Sequence, residues 1–192
     1  MLVRNIVLDP DKFYRQSDMS LFQAGVIIIL LTGVVRALIG GTAMYTTATN
    51  QIPDIAIGVL IAVGGVKMIF TTVISWLVTS VIFYLLSKFV DANGNFRTVA
   101  MYVSWGYAPQ MLESLYGFGR LLITINTGGL PSSPQFDPLT AILSILAVVW
   151  SVYLWIFAIK HARDISYKQA VSIVVPVGGL LILPEIYSLP VW

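Results

Sequence analysis

The sequence predicts an all-α integral membrane bundle of five transmembrane helices, preceded by a short surface helix. Three observations lead to this fold class. Of the 192 residues, 57% are hydrophobic and only 10% are charged, whereas a soluble domain usually carries about 25% charged residues. Apolar runs long enough to cross a bilayer recur along the chain. Most of the basic residues lie in the polar segments on one side of those runs.

The composition also excludes several kinds of functional site. The chain has no cysteine and one histidine, which rules out thiolate metal sites and multi-histidine metal sites. A formal charge of +2 is too small to indicate a nucleic-acid partner. We therefore expect no cofactor, no metal and no nucleic acid. The expected partners are membrane lipids and other membrane proteins, including a second copy of the chain.

Residues 1–20 are expected to form a cytoplasmic amphipathic segment. Asp9 is suited to cap a short helix, because a carboxylate can accept from the first free backbone N–H groups. Pro10 fits the first helical position. The apolar side chains of Phe13 and Tyr14, with charged residues nearby, indicate that this helix lies on the membrane surface.

The membrane domain is expected over residues 21–192 and begins with two apolar runs. A helix needs about 20 apolar residues to cross the ~30 Å hydrocarbon core. The first run, over residues 21–45, meets this length. The second run, over residues 54–89, is too long for one crossing. Because paired glycines weaken a helix interior, we expect a break at Gly64-Gly65, with a short interfacial helix before it and the second span after it.

Three more spans complete the bundle. They are predicted over residues 98–125, 139–159 and 170–189. Pro109 should kink the third span and Pro176 the fifth, because proline removes a backbone hydrogen bond from a helix. A basic loop over residues 160–168 is expected to join the last two spans.

The distribution of basic residues predicts the orientation in the membrane. Eight of the eleven Lys and Arg residues lie on one side of the five spans. These eight are Arg4, Lys12, Arg15, Lys88, Arg97, Lys160, Arg163 and Lys168. Because cytoplasmic loops carry the excess of Lys and Arg, we predict a cytoplasmic N-terminus and a C-terminus outside.

Two charged residues lie inside apolar spans. Arg36 and Glu113 are each 15 residues past the predicted start of a span that runs outward. At 1.5 Å per residue, both side chains should lie ~22 Å from the cytoplasmic boundary. An unpaired charge at a helix centre costs about 2.5–3.5 kcal/mol on insertion scales. We therefore predict that Arg36 and Glu113 form a buried charge pair in the outer half of the membrane.

Three further charged residues approach the same layer, and two interpretations remain open. The residues are Lys67, Arg120 and Glu185. In the structural interpretation, the Arg36–Glu113 pair sets the helix register and the lysine and second arginine extend to the interface. In the functional interpretation, all five charges line a groove that receives a lipid headgroup or a small solute.

No catalytic signature is present in the sequence. His161, Asp164 and Ser166 lie within one short basic segment, but no nucleophile elbow or oxyanion-hole motif accompanies them. A basic segment of this kind is typical of contacts with anionic lipid headgroups. We therefore expect a protein that is not an enzyme.

Several short motifs occur in an order that resembles the Yip domain family. They are Asp9-Pro10-Asp11-Lys12-Phe13, Asn93-Gly94-Asn95-Phe96, Gly106-Tyr107-Ala108-Pro109 and Ile165-Ser166-Tyr167-Lys168-Gln169-Ala170. The match covers residues 9–185. The polar turn departs from the family's usual Gly-Gly-x-Gly pattern, because this chain has Asp91-Ala92-Asn93-Gly94.

The resemblance implies a helical multipass membrane protein with no catalytic residues. In eukaryotes it implies vesicle traffic with Rab-type GTPases, but this chain looks like a compact prokaryotic member of the cell membrane, so we do not carry that role over. Our first hypothesis is a non-enzymatic protein of membrane organisation that interacts with lipids or proteins. The alternative is a small-solute or ion transporter or channel that uses Arg36, Glu113 and Glu185.

Overall fold

The computed structural model describes residues 6, 9–16, 19–48, 54–90, 92–127 and 138–187, and in these residues it is all-α. The helices are α1 (Pro10–Gln16), α2 (Met19–Ala48), α3 (Asp54–Lys88), α4 (Phe96–Ser104), α5 (Ala108–Asn126), α6 (Pro138–Arg163) and α7 (Tyr167–Tyr187). A 3₁₀ turn, Trp105–Tyr107, joins α4 to α5.

Three of these helices are long and apolar enough to cross a membrane. Their apolar stretches are Gln23–Gly41 in α2, Ala62–Lys88 in α3 and Leu139–Arg163 in α6. A shorter apolar stretch, Tyr167–Leu183, lies in α7. The chain is therefore a multi-pass membrane protein.

The described helices carry apolar side chains outward and hydroxyl groups inward. Phe70, Ile123 and Leu180 are each more than 60% exposed, as expected for side chains that face lipid. The buried serines and threonines among the described residues are Thr32, Thr72, Thr79, Ser80, Ser87, Ser104, Ser114 and Ser151. Most of their hydroxyls donate to a carbonyl of their own helix, so the interior remains hydrogen-bonded without water.

Helix α3 is continuous through Gly64-Gly65, so the predicted break there is wrong. The glycines instead allow close packing between α2 and α3. A Cβ atom added at Gly65 would lie 3.6 Å from the Cβ of Ala37, and one added at Gly33 would lie 3.2 Å from the Cα of Ile69. Small residues let two membrane helices approach in this way, and the packing compensates for the low helix propensity of glycine.

Pro109 was predicted to kink the third span, and a 3₁₀ turn, Trp105–Tyr107, interrupts the α-helix just before it. Trp155 of α6 covers this turn. Its indole Nε1 donates to the carbonyl of Val103 at 2.9 Å, and its ring lies against Gly106. The indole thus satisfies a carbonyl beside the break, where the regular helical hydrogen bonding is interrupted.

The C-terminal helices differ from the prediction at their ends. Lys160 to Arg163 form the last turn of α6, so the expected basic loop is limited to Asp164–Ser166. Cations in the last turn are stabilised by the negative end of the helix dipole. Helix α7 continues through Pro176 and Pro184, so neither proline ends it.

Helix α1 begins after Asp9, whose carboxylate accepts from the backbone N–H of Lys12 at 3.0 Å. The aromatic side chains of α1 were expected to face the membrane surface, but they are buried within the protein. Phe13 and Tyr14 are 3% and 1% exposed and pack against α4, the 3₁₀ turn and α6. Phe13 contacts the Trp105 ring edge-on, and Tyr14 stacks on Tyr102. The surface that buries these rings is therefore the protein itself.

One end of the bundle collects basic side chains from several helices. We call it the basic end, and it carries Lys88, Arg97, Lys160, Arg163 and Lys168. Helix α1 lies there as well, because Asp11 binds Lys160.

Candidate functional site

Arg36 projects from the apolar helix α2 toward α5. Its Nε donates to the Ser114 hydroxyl at 3.3 Å, and a terminal nitrogen donates to the side-chain oxygen of Gln110 at 3.3 Å. The Ser114 hydroxyl donates to the Gln110 carbonyl at 2.8 Å, which leaves its lone pairs for the guanidinium. Two neutral groups one turn apart on α5 therefore hold the arginine.

Glu113 lies on α5 between those two partners and points toward α6. Its carboxylate accepts from the Ser144 hydroxyl at 3.1 Å. Among the described residues, the ion pairs within 4.0 Å involve Asp11, and Arg36 and Glu113 do not form one. The two charges are instead tied to neutral polar groups on either side of a shared space.

That shared space is a pocket of about 210 Å³, which we call the polar pocket. Its lining residues are Arg36, Ile39, Gln110, Glu113, Ser114, Ser144, Ala147 and Val148. One cation, one anion and three neutral hydrogen-bonding side chains face it. Such a set can bind a polar ligand through charge-assisted hydrogen bonds.

An apolar groove adjoins the polar pocket between α5 and α6. Its first part, of about 330 Å³, shares Glu113 and Ala147 with the polar pocket. Its lining residues are Pro109, Leu112, Glu113, Tyr116, Leu143, Leu146, Ala147 and Trp150. Its second part, of about 280 Å³, shares Leu112 and Trp150 with the first. The remaining residues of the second part are Ile6, Trp105, Ala108, Met111 and Leu154. We call the two parts together the apolar groove.

Two of the other predicted site residues do not line the polar pocket. Lys67 and Arg120 are exposed, on α3 and α5 respectively, and neither belongs to the pocket lining. Glu185 lies in α7, but its side chain is outside the part of the chain that the structure describes. The structure therefore brings together Arg36 and Glu113 of the five predicted charges.

A second polar centre, which sequence reasoning missed, lies at the basic end around Arg163. This side chain is 2% exposed. Its Nε donates to the Ser87 hydroxyl at 2.8 Å, and its terminal nitrogens donate to the carbonyls of Ala92, at 2.7 Å, and Gly94. The guanidinium also lies 4.8 Å from the Tyr84 ring centre. A planar group with five donors is suited to hold a turn in this way.

Sequence comparison identifies the family. The family model for the Yip1 domain matches residues 4–184. This chain belongs to the Yip1 domain family. The family expected from the sequence motifs is thereby confirmed. No curated protein and no solved structure matches the chain.

Two of the motifs that carry the Yip1 resemblance each contain a glycine that a larger residue could not replace without strain. Gly94, in the polar turn, has a φ of +95°, and a Cβ there would lie 2.6 Å from the Ala162 carbonyl oxygen. A Cβ at Gly106, in the motif that ends at Pro109, would lie 2.0 Å from Nε1 of Trp155. Both glycines therefore let an α6 residue approach the backbone.

A third polar cluster, centred on Asp11, fastens α1 to α6. Its carboxylate binds Lys160 and Arg15, and it contacts Nε2 of His161 at 2.9 Å. The hydrogen bonds from Lys160, and then those from His161 and Arg15, hold the pKa of Asp11 well below its usual range. The carboxylate is therefore more stable in the folded chain than in the unfolded one.

His161, Asp164 and Ser166 have separate surroundings. His161 contacts Asp11, and Ser166 donates to the side chain of Gln169 at 2.8 Å. Asp164 is exposed and has a φ of 51°.

Asp11→Asn is expected to loosen α1 from the bundle by about 1 kcal/mol, since the pairs it removes are partly exposed. In the wild type, the stabilisation of α1 by ionised Asp11 is complete above the ordinary carboxyl pKa of 3.8. It is lost as the pH falls further, because a depressed carboxyl pKa stabilises only the ionised form. Hydrogen exchange of the α1 amides checks this, and the variant should exchange faster at neutral pH.

Asp164→Asn is the matched control, because it removes an exposed carboxylate at the same end and asparagine tolerates a positive φ. It should leave exchange in α1 unchanged. Equal exchange in wild type and Asp11→Asn would contradict a role for Asp11 in holding α1.

Proposed function

We propose that this protein is a non-enzymatic component of membrane organisation that binds a membrane lipid. The headgroup occupies the polar pocket and an acyl chain occupies the apolar groove. The observation that carries this proposal is the shared boundary of the two spaces at Glu113 and Ala147. A polar pocket that shares lining residues with an apolar groove matches an amphiphile better than it matches a wholly polar solute.

The length of the groove supports the same proposal. It extends from Tyr116 of α5 back to Trp105 of the 3₁₀ turn. Eleven residues at 1.5 Å each give ~16 Å, which is close to half of the ~30 Å hydrocarbon core. The groove thus has about the length of the acyl region of one leaflet. It runs from the polar pocket toward the basic end, as the chain of a lipid in the opposite leaflet would run.

The five-span topology belongs to this proposal. In addition to α2, α3 and α6, the combined segment of α4, the 3₁₀ turn and α5 forms one crossing, and α7 forms another. The basic end lies in the cytoplasm, since positively charged segments are retained there. The polar pocket then lies in the outer half of the membrane, and its ligand comes from the outer leaflet.

Transport of a single ion is the weaker alternative. The polar pocket presents Arg36 and Glu113 to the same space. An ion of either sign would be attracted by one of these charges and repelled by the other. Cysteine accessibility tests this alternative, because the chain has no native cysteine. Reaction of Arg36→Cys and Glu113→Cys with membrane-impermeant thiol reagents from both sides would favour transport over lipid binding.

The lipid site is tested by filling the space that the headgroup and chain share. Wild type should retain a bound lipid when it is released from nanodiscs for native mass spectrometry. Ala147→Phe should abolish this lipid binding, because Ala147 lines both spaces. Val149→Phe is the control, since Val149 is on the same helix and 50% exposed. Retention of the lipid by Ala147→Phe would overturn the proposal.

Leu146→Trp provides a second test if the phenylalanine variant does not fold. Leu146 lines the groove but is 57% exposed, so a larger side chain can be accommodated without repacking the core. This variant should retain less lipid than wild type while it keeps the wild-type melting temperature. Full lipid retention would count against the groove.

A further inference from the structure

We infer that the polar pocket selects a zwitterionic phosphoester with a primary ammonium group, such as a phosphoethanolamine headgroup. Its phosphate binds Arg36 and its ammonium binds Glu113. This inference rests on the proposed lipid site and names the ligand class of that site. It follows from the unused hydrogen-bonding capacity of the two charged side chains and from the charge balance of the lining.

Arg36 has donors to spare. A guanidinium carries five N–H donors, and the contacts to Ser114 and Gln110 use two of them. Among the described residues, no buried side-chain nitrogen or oxygen lacks a partner. The terminal nitrogen of Arg36 that has no hydrogen-bond partner is therefore not fully buried, and Arg36 lines the polar pocket. A phosphate can bind the remaining donors with two parallel hydrogen bonds, the geometry that guanidinium groups favour.

Glu113 has acceptors to spare. A carboxylate can accept about four hydrogen bonds, and Ser144 supplies one, to Oε1. The second carboxylate oxygen is accessible by the same reasoning, and Glu113 lines both the polar pocket and the groove. A primary ammonium is the complementary ligand group, because it offers three donors and a positive charge.

The charge balance of the lining excludes the simpler ligands. Among the described residues, its ionisable side chains are those of Arg36 and Glu113. An anionic headgroup that satisfied Arg36 would bring its charge close to Glu113, and a cation that satisfied Glu113 would lie close to Arg36. A ligand with both charges avoids these repulsions, since each of its charges lies against the opposite charge.

The chemistry of the polar pocket also favours ethanolamine over choline. A quaternary ammonium has no N–H donor, and proteins recognise it mainly through the faces of aromatic rings. In the part of the chain that the structure describes, no lining residue of the polar pocket is aromatic. Glu113 and Ser144 instead offer oxygen acceptors, which a primary ammonium uses and a trimethylated one does not.

The test measures which lipid the full chain retains. Wild type is placed in nanodiscs with equal amounts of phosphatidylethanolamine, phosphatidylcholine and phosphatidylglycerol with identical acyl chains. Native mass spectrometry then counts each retained lipid. We expect about tenfold enrichment of phosphatidylethanolamine, which corresponds to about 1.4 kcal/mol, because its ammonium donates charge-assisted hydrogen bonds that the other two headgroups cannot make at Glu113.

The variants have opposite expected effects on this selection. Glu113→Gln should shift the preference toward the anionic phosphatidylglycerol, because Arg36 remains and the repelling carboxylate is gone. Arg36→Gln should reduce retention of all three lipids. Lys67→Gln removes an exposed cation outside the pocket lining and should leave the preference unchanged. Melting temperatures identify any variant that fails to fold, and Glu113→Asp then serves as the milder substitution, with weakened but not reversed selection.

The outcomes separate this inference from the proposed function. If wild type retains lipid without headgroup preference, the selection for a zwitterion is wrong and the groove remains. If wild type retains no lipid, the proposed function fails as well. A final measurement uses soluble glycerophosphoethanolamine, which has the same headgroup but no acyl chains. Binding of it to lipid-free protein in detergent, lost in Glu113→Gln, would show that the pocket recognises the same chemistry in a free solute.

Discussion

Arg163→Ala should lower the free energy of unfolding by about 3–5 kcal/mol, because it removes a buried charge network and leaves a cavity. The side chain donates to Ser87, Ala92 and Gly94 and lies over the ring of Tyr84. These groups belong to the end of α3 and to the turn before α4. Without the guanidinium, the turn loses the donors that hold it against α6.

Arg163→Lys separates charge from geometry. An ammonium keeps the charge but cannot reach three acceptors in a fixed plane, so this variant should recover only a small part of the loss. Arg97→Ala is the control, because Arg97 is an exposed cation at the same end. Unfolding in detergent micelles, followed by circular dichroism, gives all three values. A loss of less than 1 kcal/mol for Arg163→Ala would show that water replaces the arginine in the turn.

The role of Arg163 shows why sequence reasoning was incomplete at the basic end. A cation at the inner end of a span ordinarily extends into the headgroup region, and nothing in the local pattern distinguishes one that turns inward. Its acceptors are two carbonyls and a hydroxyl about 70 residues earlier in the chain. The informative signal was the turn Asn93-Gly94, where a glycine at positive φ brings carbonyls together.

The polar pocket was partly predictable for a physical reason. A bilayer requires helices of similar length, so counting residues from a span end gives depth at 1.5 Å per residue. This reasoning placed Arg36 and Glu113 at one level, and they line one pocket. It could not give their partners, because depth does not define which face of a helix meets its neighbour. Gln110, Ser114 and Ser144 are ordinary polar residues in the sequence.

The glycines show the same limit. A Gly-Gly pair weakens an isolated helix, yet in α3 it permits a close contact with α2, and the helix is continuous. Which effect prevails depends on whether a neighbouring helix is present, and local sequence does not report that. The prolines show it too, because each lacks a backbone donor, yet the helix is interrupted just before Pro109 and is continuous through Pro176 and Pro184.

Gly106→Ala should destabilise the fold by about 1–3 kcal/mol, since overpacking a filled site displaces its neighbours. The added methyl would lie 2.0 Å from Nε1 of Trp155. That ring is fully buried and packs edge-on against Phe83 and Tyr107, so it cannot move aside without disturbing the core. Its displacement would also remove the donor to the Val103 carbonyl. Thermal unfolding in detergent measures the effect.

The matched control is Gly119→Ala, because a Cβ at Gly119 on α5 would meet nothing within 4 Å. It should be neutral or should stabilise by about 0.5–1 kcal/mol through helix propensity. A double-mutant cycle with Trp155→Leu then locates the cause, because contacting residues give non-additive effects. If Trp155 is the obstacle, Gly106→Ala should cost much less once the indole is removed. If Gly106→Ala lowers the stability equally in the wild-type and Trp155→Leu backgrounds, the backbone conformation at Gly106 requires the glycine. In that case contact with the indole of Trp155 is not the reason.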